Sequence, residues 1–156
     1  MCFYACGFLN EEKKGLTVTL AIFDLDHTLL GGDSDYLWGK YLVAEGLVDG
    51  ANYERENRRF YEDYRAGTLD IHAFLNFALR PLSSIPLPRL LALRERFMRD
   101  EIAPIMLPAA RALLDRHREQ GHTLLIITAT NRFVTEPIAA AFGVEHLLAT
   151  DPERVD

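Results

Sequence analysis

The sequence contains few cysteines, no long hydrophobic run and little lysine. Its two cysteines, Cys2 and Cys6, have no further cysteine to complete a metal site. No apolar run approaches the ~20 residues that a membrane-spanning helix needs. Lysine is absent after Lys40, and the net charge of -6 is unlike the basic footprint of a nucleic-acid-binding protein. These absences predict a chain without a membrane span and without a nucleic-acid partner.

The N-terminal stretch MCFYACGFLN is a poor signal peptide, because its apolar run is short and no basic residue precedes it. We interpret residues 1–16 as an inert tail of the kind that a start codon placed too early would add. Without an export signal, a cytoplasmic location is expected.

Two continuous apolar runs are the clearest structural signal in the chain. Residues 17–24 and 122–128 lack the alternation of a half-buried strand, so they predict strands buried on both faces, as in a parallel sheet. A shorter strand is predicted at residues 145–150. The length of 156 residues suits one domain, or one domain with an insertion.

Helical patterns fill the rest of the chain. Between the first two strands, the predicted helices span residues 33–47, 52–67, 68–81 and 87–102. Thr68 is predicted to cap the third of them and Pro81 to end it. Two later helices are predicted at residues 107–121 and 131–143. This order predicts an α/β fold in which right-handed crossovers make the three strands parallel.

Polar side chains follow the two long strands at the point where each strand ends. Asp24, Asp26 and Thr28 follow the first strand, and Thr128 and Ala129 follow the second. Ligands bind beyond the carboxyl ends of parallel strands, so these residues are predicted to converge. Two carboxylates this close repel each other, which favours a cation or a chemical role over an ordinary turn.

These residue types suit phosphoryl transfer. A carboxylate can attack phosphorus and form an aspartyl phosphate, and a second one can protonate the leaving oxygen and then activate water. Carboxylates also hold Mg²⁺ with its waters, while a hydroxyl and the amides beyond a strand hold phosphate oxygens. The alternative is structural: the acids would form a helix cap and a solvated turn, and Thr128 a plain strand end.

The motifs resemble those of the haloacid dehalogenase superfamily. DLDHT resembles its first motif, Asp-x-Asp-x-Thr, and LLIIT resembles its second. The helical insert resembles the cap of the phosphoserine-phosphatase-like branch, some of whose bacterial members act on histidinol phosphate. The resemblance implies a Rossmann-like parallel sheet in a core of residues 17–33 and 104–156, with a helical cap at residues 34–103.

The same resemblance implies roles for individual residues. Asp24 is expected to be the nucleophile and a Mg²⁺ ligand, and Asp26 the general acid/base that offers its backbone carbonyl to the metal. Thr28, Thr128 and Ala129 are expected to bind phosphate or support the loop that does. The implied activity is Mg²⁺-dependent hydrolysis of a small phosphorylated metabolite, such as phosphoserine or histidinol phosphate.

Residues in the insert are candidates for substrate recognition. Asp33 is predicted to meet a substrate amine, as an acid near this point does in phosphoserine phosphatases; otherwise it caps a helix. A basic run could meet a substrate carboxylate, although such runs are more often solvated helix faces: Arg55, Arg58, Arg59 and Arg65. A set of aromatic residues is predicted to form the core of the cap: Tyr36, Trp38, Tyr41, Phe60, Tyr61, Phe74 and Phe77.

Two motifs that the resemblance implies are missing. A lysine that neutralises phosphate and an acidic pair that completes the Mg²⁺ site would follow later strands, but only 28 residues follow Thr128. We therefore expect an incomplete core, an exposed apolar edge at the first strand, and weak or no activity. The chain is expected to be a fragment, the product of an early stop or frameshift, or one part of a split protein.

Two other functions remain open. A non-catalytic remnant or split-protein fragment would bind a partner instead of turning over substrate. A phospho-accepting receiver domain also uses strand-end acids, but receivers lack a helical insert of about 70 residues after the first strand. The sequence predicts neither one particular substrate nor an oligomeric state.

Overall fold

The structure, a computed structural model, describes residues 19–152, with the backbone alone described for Tyr61 and Tyr64. The predicted N-terminal tail and its two cysteines lie outside this range. Six α-helices are present in the described residues: α1 (Ser34–Ala44), α2 (Gly50–Ala66), α3 (Ile71–Ser84), α4 (Leu87–Phe97), α5 (Pro108–Glu119) and α6 (Arg132–Ala141). None of these helices has the length and apolar character needed to cross a membrane.

Three parallel strands form the sheet, which confirms the predicted α/β fold class. They are β1 (Leu20–Asp24), β2 (Thr123–Asn131) and β3 (His146–Thr150), and their order in the sheet is β1-β2-β3. As predicted, no strand lies in the long insert between β1 and β2. Within the described residues β1 pairs with β2 alone, so its other edge is free.

The chain divides into two compact units. The first is Met1–Asp35 with Met98–Asp156, and it contains the sheet; the second is the helical segment Tyr36–Phe97. In the first unit, α5 and α6 pack against β2, and α6 also packs against β3. Its core includes the fully buried Ile126 of β2, because this strand lies between the other two.

Aromatic rings build much of the core of the helical unit. The ring centroid of Trp38 lies 5.1 Å from that of Phe97 and 6.1 Å from that of Tyr41. A second cluster centres on Phe60, whose ring lies 5.6 Å from Phe74 and 5.3 Å from Phe77. Most of the predicted aromatic core is therefore present.

Tyr36 is an exception to that prediction, because 52% of it is exposed. It lies on the outer side of α1, where the Lys40 ammonium sits 5.8 Å from its ring centroid. The side chain of Tyr61 lies outside the described part of the chain.

The ends of α3 differ from the prediction. Asp70, rather than Thr68, caps the helix, and its carboxylate accepts two amides of the first turn at 3.0 Å each. The helix passes through Pro81 and ends at Ser84. The residue before Pro86 is extended, because a proline ring disfavours the helical conformation in the residue that precedes it. The later proline therefore ends the helix.

The fourth helix of the insert also ends early. α4 stops at Phe97, and the chain continues as a π turn (Met98–Ile102) and a 3-10 turn (Ala103–Ile105). A uniform helix was predicted over the whole stretch 87–102. The change of winding coincides with the boundary between the two compact units.

Candidate active site

A buried leucine closes the turn that follows β1. The carbonyl of Leu25 accepts the amides of Thr28, Leu29 and Leu30 at 3.3, 2.9 and 3.0 Å, and the Leu25 side chain is fully buried. His27 has a φ of 54°, which is uncommon for a residue other than glycine. This turn fixes the positions of the two acids that flank Leu25.

Asp24 is the last residue of β1 and its side chain is exposed. Its Oδ2 accepts a hydrogen bond from the Thr28 hydroxyl at 3.1 Å. One carboxylate oxygen is thereby oriented by the turn, and Oδ1 remains as the oxygen for a reaction at the strand end.

The carboxylate of Asp26 joins the two strand ends. Its Oδ1 accepts the backbone amide of Ser34 at 2.7 Å, and its Oδ2 accepts the hydroxyl of Thr130 at 2.9 Å. Ser34 is the first residue of α1, so Asp26 takes up an amide that the helix start leaves without a partner within the helix. Both oxygens of Asp26 are held, which orients this acid more firmly than Asp24.

Residues Thr128 to Thr130 form an irregular stretch of β2. β2 and β3 are in register from Leu125 to Ile127, and pairing resumes only at Asn131. The predicted strand end, Thr128, therefore lies inside β2 and begins this irregularity. The Thr130 amide donates to the Thr128 hydroxyl oxygen at 3.1 Å, so the hydroxyl proton of Thr128 is directed to another acceptor.

Ala129 lies in the middle of this stretch and is exposed. Its carbonyl accepts the hydroxyl of Thr150, at the end of β3, at 2.7 Å. The contact holds the irregular stretch of β2 against the neighbouring strand. The structure thus brings both Ala129 and Thr128 to the same strand end as Asp26.

α6 begins at this strand end with a capped N-terminus. The side chain of Asn131 accepts the amide of Val134 at 3.1 Å, and the Asn131 carbonyl accepts the hydroxyl of Thr135 at 3.1 Å. The Asn131 amide group also lies 3.4 Å from Oδ1 of Asp35. The N-terminus of a helix carries partial positive charge, which favours anions near it.

Burial and like charges act on the acids of the site. Burial raises the pKa of Asp26 above its ordinary value, hydrogen bonds from Ser34 and Thr130 oppose that shift, and the charge of Asp33 adds to it. The pKa of Asp35 is raised to about 6, first by burial and then by the charges of Asp33 and Asp26. Asp33 therefore lies close enough to both acids to act on them.

The raised pKa of Asp35 gives a stability prediction. The folded state holds the proton of Asp35 more tightly than the unfolded chain, so ionisation destabilises the fold as the pH rises from 3.8 through about 6. Asp35→Asn should therefore raise the free energy of unfolding at pH 8, by roughly 3 kcal/mol at most. The gain should shrink as the pH falls below 6.

Urea unfolding of both proteins across this pH range measures the effect. Asp70→Asn is the matched control, because Asp70 is exposed and Asn caps a helix as Asp does. A gain for Asp35→Asn that is the same at pH 4 and pH 8 would contradict the assigned pKa shift.

Three residues of the site were not predicted to belong to it: Ser34, Thr130 and Asn131. Ser34 and Thr130 hold Asp26, and Asn131 connects α6 to Asp35. Thr130 and Asn131 follow Thr128 closely, and that proximity is the one signal in the sequence that could have found them. The basic run includes arginines on a solvated face of α2, as the structural alternative predicted. The exposed Arg59 pairs with Glu56 at 3.2 Å, and Arg55 lies 3.8 Å from the same acid.

The donors at the strand end fit a weakly held Mg²⁺. Among the described residues no group of three or more His, Cys, Asp or Glu is arranged to hold a metal ion. Asp24 offers one exposed carboxylate, while the carboxylate of Asp26 is occupied by two donors, which leaves its backbone carbonyl. Mg²⁺ is commonly bound by one or two carboxylates with waters and substrate phosphate, so this set is sufficient only with phosphate present.

Relatives share most of this chain. Histidinol-phosphatase of Neisseria meningitidis serogroup C is 42% identical over 134 residues, which are 86% of this chain and 60% of that protein. The crystal structure of a protein of unknown function from Bordetella pertussis Tohama I is 43% identical, with a TM-score of 0.82 over 90% of this chain and 64% of that chain. The chain thus spans less than two thirds of either relative.

More distant structures have the same fold. A substrate-bound phosphoserine phosphatase is 15% identical with a TM-score of 0.59, and the match covers 91% of this chain and 60% of that chain. At this identity the likeness concerns the fold alone, and it agrees with a Rossmann-like sheet. The family model described as haloacid dehalogenase-like hydrolase matches residues 21–156, which removes the receiver-domain alternative. With most of its length matched by that model, the chain belongs to the haloacid dehalogenase-like hydrolases.

Proposed function

We propose that the site hydrolyses a phosphomonoester through an aspartyl phosphate on Asp24, with Asp26 as general acid and base. The substrate is a small phosphorylated metabolite of the cytoplasm, similar to phosphoserine or histidinol phosphate. One observation carries the proposal. Asp26 is held by two hydrogen bonds beside the exposed Asp24, and burial raises its pKa, as a proton donor requires.

In the first step, Oδ1 of Asp24 attacks phosphorus while the Thr28 hydroxyl holds Oδ2. The bond between phosphorus and the substrate oxygen breaks, and its electron pair stays with that oxygen. Asp26 donates its proton there, so an alcohol leaves. Carboxylates serve as nucleophiles in reactions that pass through an aspartyl phosphate. In such a transfer the attacking oxygen and the leaving oxygen are roughly in line with phosphorus.

In the second step, water attacks the phosphorus of the aspartyl phosphate. Asp26, now ionised, accepts a proton from that water, and the bond to Asp24 breaks with its electrons returning to the carboxylate. Phosphate is released and Asp26 is protonated again. The hydrogen bonds from Ser34 and Thr130 stabilise the ionised form that this step needs.

Phosphate oxygens are bound by the irregular stretch of β2 in this proposal. Thr128 donates its hydroxyl proton, because its oxygen already accepts the Thr130 amide. Ala129 lies beside it and offers its backbone to the same phosphate. The amide of His27 is not available, since it donates to the Gly32 carbonyl at 3.1 Å.

Mg²⁺ would be held by the Asp24 carboxylate and the backbone carbonyl of Asp26, with waters and substrate phosphate in the remaining places. When bound, it neutralises charge on the transferring phosphoryl group. The donor set described above supports this assignment by its chemistry.

Asp33 is proposed to bind an ammonium group of the substrate, and Asp35 adds negative charge close to it. A cationic substrate would lower the repulsion between these acids. The identity of 42% with a protein named histidinol-phosphatase supports a substrate that carries both phosphate and amine. Residues 34–103 are proposed to act as a helical cap, and residues 17–33 and 104–156 as the core.

The small number of Mg²⁺ ligands in the described residues supports a second candidate function. Because no group of three acidic, histidine or cysteine ligands is arranged in the described residues, and lysine is absent after Lys40, the chain by itself is proposed to be weak or inactive. It would then bind a partner instead of turning over substrate.

A chimera tests the reaction class. It joins this chain to the part of the Neisseria meningitidis histidinol-phosphatase that the chain does not span. Phosphate release is measured for histidinol phosphate, phosphoserine, and an amine-free phosphomonoester of similar size. Mg²⁺-dependent release with a preference for the amine-bearing substrates is expected. A folded chimera that hydrolyses none of them would contradict the proposed function.

Asp26→Asn should reduce turnover by the chimera about 100- to 10,000-fold, the range that general acid–base catalysis supplies. The amide can still accept the Ser34 amide through Oδ1, so the fold should remain. The loss in the first step should be smaller for p-nitrophenyl phosphate than for phosphoserine, because nitrophenolate leaves without a proton. Equal losses in that step for the two substrates would remove Asp26 from the role of acid.

Thr130→Val should move the pH dependence of the reaction. The Thr130 hydroxyl lowers the pKa of Asp26 by its hydrogen bond, so removing it raises that pKa. The basic limb of kcat/KM against pH, where Asp26 loses its proton, should therefore shift upward. Thr123→Val, at the start of β2, is the control and should leave the profile unchanged. A downward shift for Thr130→Val would contradict the assignment.

A further inference from the structure

Two histidines meet where α5 ends and β2 is about to begin. Nδ1 of His117, in the last turn of α5, lies 2.8 Å from Nδ1 of His122, which directly precedes β2. Both side chains are half-buried. The pair is separate from the candidate active site, because it lies at the amino end of β2 and the site lies at the carboxyl end.

The turn between the two histidines fixes their spacing. Gly121 has a φ of 74°, its amide donates to the carbonyl of Arg118 at 2.9 Å, and the amide of His122 donates to the carbonyl of His117 at 3.1 Å. These two bonds define a Schellman motif, in which the residues at the positions of His117 and His122 frequently make an apolar contact. Two titratable rings occupy these positions here.

The two rings are aligned for a hydrogen bond between their Nδ1 atoms. Their centroids lie 5.1 Å apart, which exceeds the distance between the two Nδ1 atoms by about one ring diameter. The nitrogens therefore lie close to the line that joins the centroids, and each points at the other. A metal ion held by both nitrogens would need lone pairs that converge beside this line, and no group of three or more metal ligands is present in the described residues.

The positions of the ring protons determine which protonation state breaks this hydrogen bond. In the neutral pair, one ring donates the proton on its Nδ1, and the other ring carries its proton on Nε2 and accepts through Nδ1. A first added proton binds the free Nε2 of the donor ring and leaves the hydrogen bond intact. A second added proton can bind only the accepting Nδ1. Both facing atoms are then donors on positively charged rings, so the hydrogen bond is lost at this second step.

The surroundings of His117 disfavour the doubly charged pair. From β1, Phe23 contributes an uncharged ring whose centroid lies 5.5 Å from that of His117. β2 also packs against α5 and contains no charged residue. Burial lowers the pKa of His117, and the charges of His122 and Arg116 lower it further. The second proton is therefore bound only at a pH below the ordinary range of histidine.

The same turn also holds the end of α6. The guanidinium of Arg118 pairs with Asp115 and donates to the carbonyls of Phe142 and Gly143 at 3.2 and 3.1 Å. These two residues directly follow α6. Loss of the bond between the histidines would thus loosen a corner of the first unit where α5, the end of α6 and the start of β2 are joined.

We propose that His117 and His122 form a proton-sharing pair, here called the histidine clasp, that joins the end of α5 to the start of β2 and opens when both rings are charged. Because the pKa of His117 is lowered, the stabilisation is fully present above pH 6.5 and is lost as the pH falls below that value. The clasp is a conformational device, and it does not depend on the proposed reaction.

The bridging proton can be observed in the unaltered chain. In residues 1–156 labelled with ¹⁵N at histidine, nuclear magnetic resonance at pH 7.5 should show one ring protonated on Nδ1 and the other on Nε2. The Nδ1 proton should couple to both Nδ1 nitrogens, and this coupling should disappear as the pH is lowered to 4.5. Two rings without a shared proton at pH 7.5 would overturn the proposal.

Amide hydrogen exchange measures the opening of the clasp. A local measurement is needed because Asp35 changes the stability of the whole fold in the opposite direction over this pH range. Between pH 7.5 and 4.5, protection of the amide of residue 122 should fall by about tenfold or more relative to the double variant His117→Leu with His122→Leu. The leucines supply the apolar contact usual at such a helix end and bind no proton.

His72→Leu is the matched control, since His72 is exposed on α3 and its substitution should leave the acid sensitivity unchanged. Each comparison is made at one pH, which cancels the intrinsic exchange rate. Circular dichroism checks that the variants are folded, and the measurement of the bridging proton decides the proposal if the double variant does not fold. Acid sensitivity that persists in the folded double variant, or that His72→Leu removes as well, would also overturn the proposal.

Discussion

Asp24→Asn is expected to abolish phosphomonoester hydrolysis by the chimera described above. The amide oxygen carries no charge and its lone pairs are delocalised, so it does not attack phosphorus. Removal of a nucleophile costs on the order of 10⁴-fold or more in turnover. The variant should fold normally, because Asp24 is exposed and an Asn oxygen can still accept the Thr28 hydroxyl.

Trapping the covalent intermediate distinguishes a nucleophile from a residue that only supports the structure. Wild-type chimera quenched in acid during turnover of ³²P-labelled substrate should retain protein-bound label, and Asp24→Asn should retain none. Asp26→Asn should still form the intermediate from p-nitrophenyl phosphate, and should accumulate it because water is no longer activated. The two variants thus separate the two steps.

Asp49→Asn is the control for this series. Asp49 is an exposed acid at the start of α2, where its carboxylate accepts the Asn52 amide at 3.3 Å. It should leave both turnover and labelling unchanged. Turnover of Asp24→Asn within tenfold of the wild type, or label that persists in this variant, would remove Asp24 from the role of nucleophile.

The fold was predictable because its signals are local. The unbroken apolar runs LAIF and LLII identify buried parallel strands, and helical periodicity with no strand pattern fills the insert. Sequence order and crossover handedness then give the parallel sheet. Pro81 was misinterpreted because a helix can pass through a proline when the rest of its pattern is favourable, whereas Pro86 restricts the residue before it.

The candidate site was predictable only in part. Strand ends identified Asp24, Asp26 and Thr128 as neighbours, since parallel strands end at one edge. The bond between Asp26 and Thr130 links residues 104 positions apart and depends on the irregular pairing of β2. Nothing in a single sequence reports that irregularity, so the residue that holds the proposed acid was missed.

The exposure of apolar side chains on the sheet was also outside what the sequence pattern reports. Leu125 and Ile127 belong to a run that predicts burial on both faces, and the prediction holds for neither of them in full. An apolar run predicts that a strand needs cover on both faces, but it does not show whether residues 19–152 provide that cover.

Residues 1–156 alone are expected to show no Mg²⁺-dependent phosphatase activity. Asp24 offers the ion one carboxylate, and both carboxylate oxygens of Asp26 are engaged by Ser34 and Thr130. Mg²⁺ binds through carboxylates and phosphate, so a single carboxylate should hold it poorly. Lysine is also absent after Lys40. No later lysine of residues 1–156 therefore neutralises the negative charge on the transferring phosphoryl group. Charge stabilisation is the main contribution of a protein to phosphoryl transfer.

Phosphate release from histidinol phosphate, phosphoserine and p-nitrophenyl phosphate, with Mg²⁺ and with chelator, measures this expectation. The chain alone should give the same rate in both conditions, and the exposed Leu20, Ile127 and Leu148 of the sheet should bind a hydrophobic dye. Mg²⁺-dependent hydrolysis by the monomeric chain alone, abolished by Asp24→Asn, would contradict the expectation. In that case the donors of the described strand ends would be sufficient for catalysis.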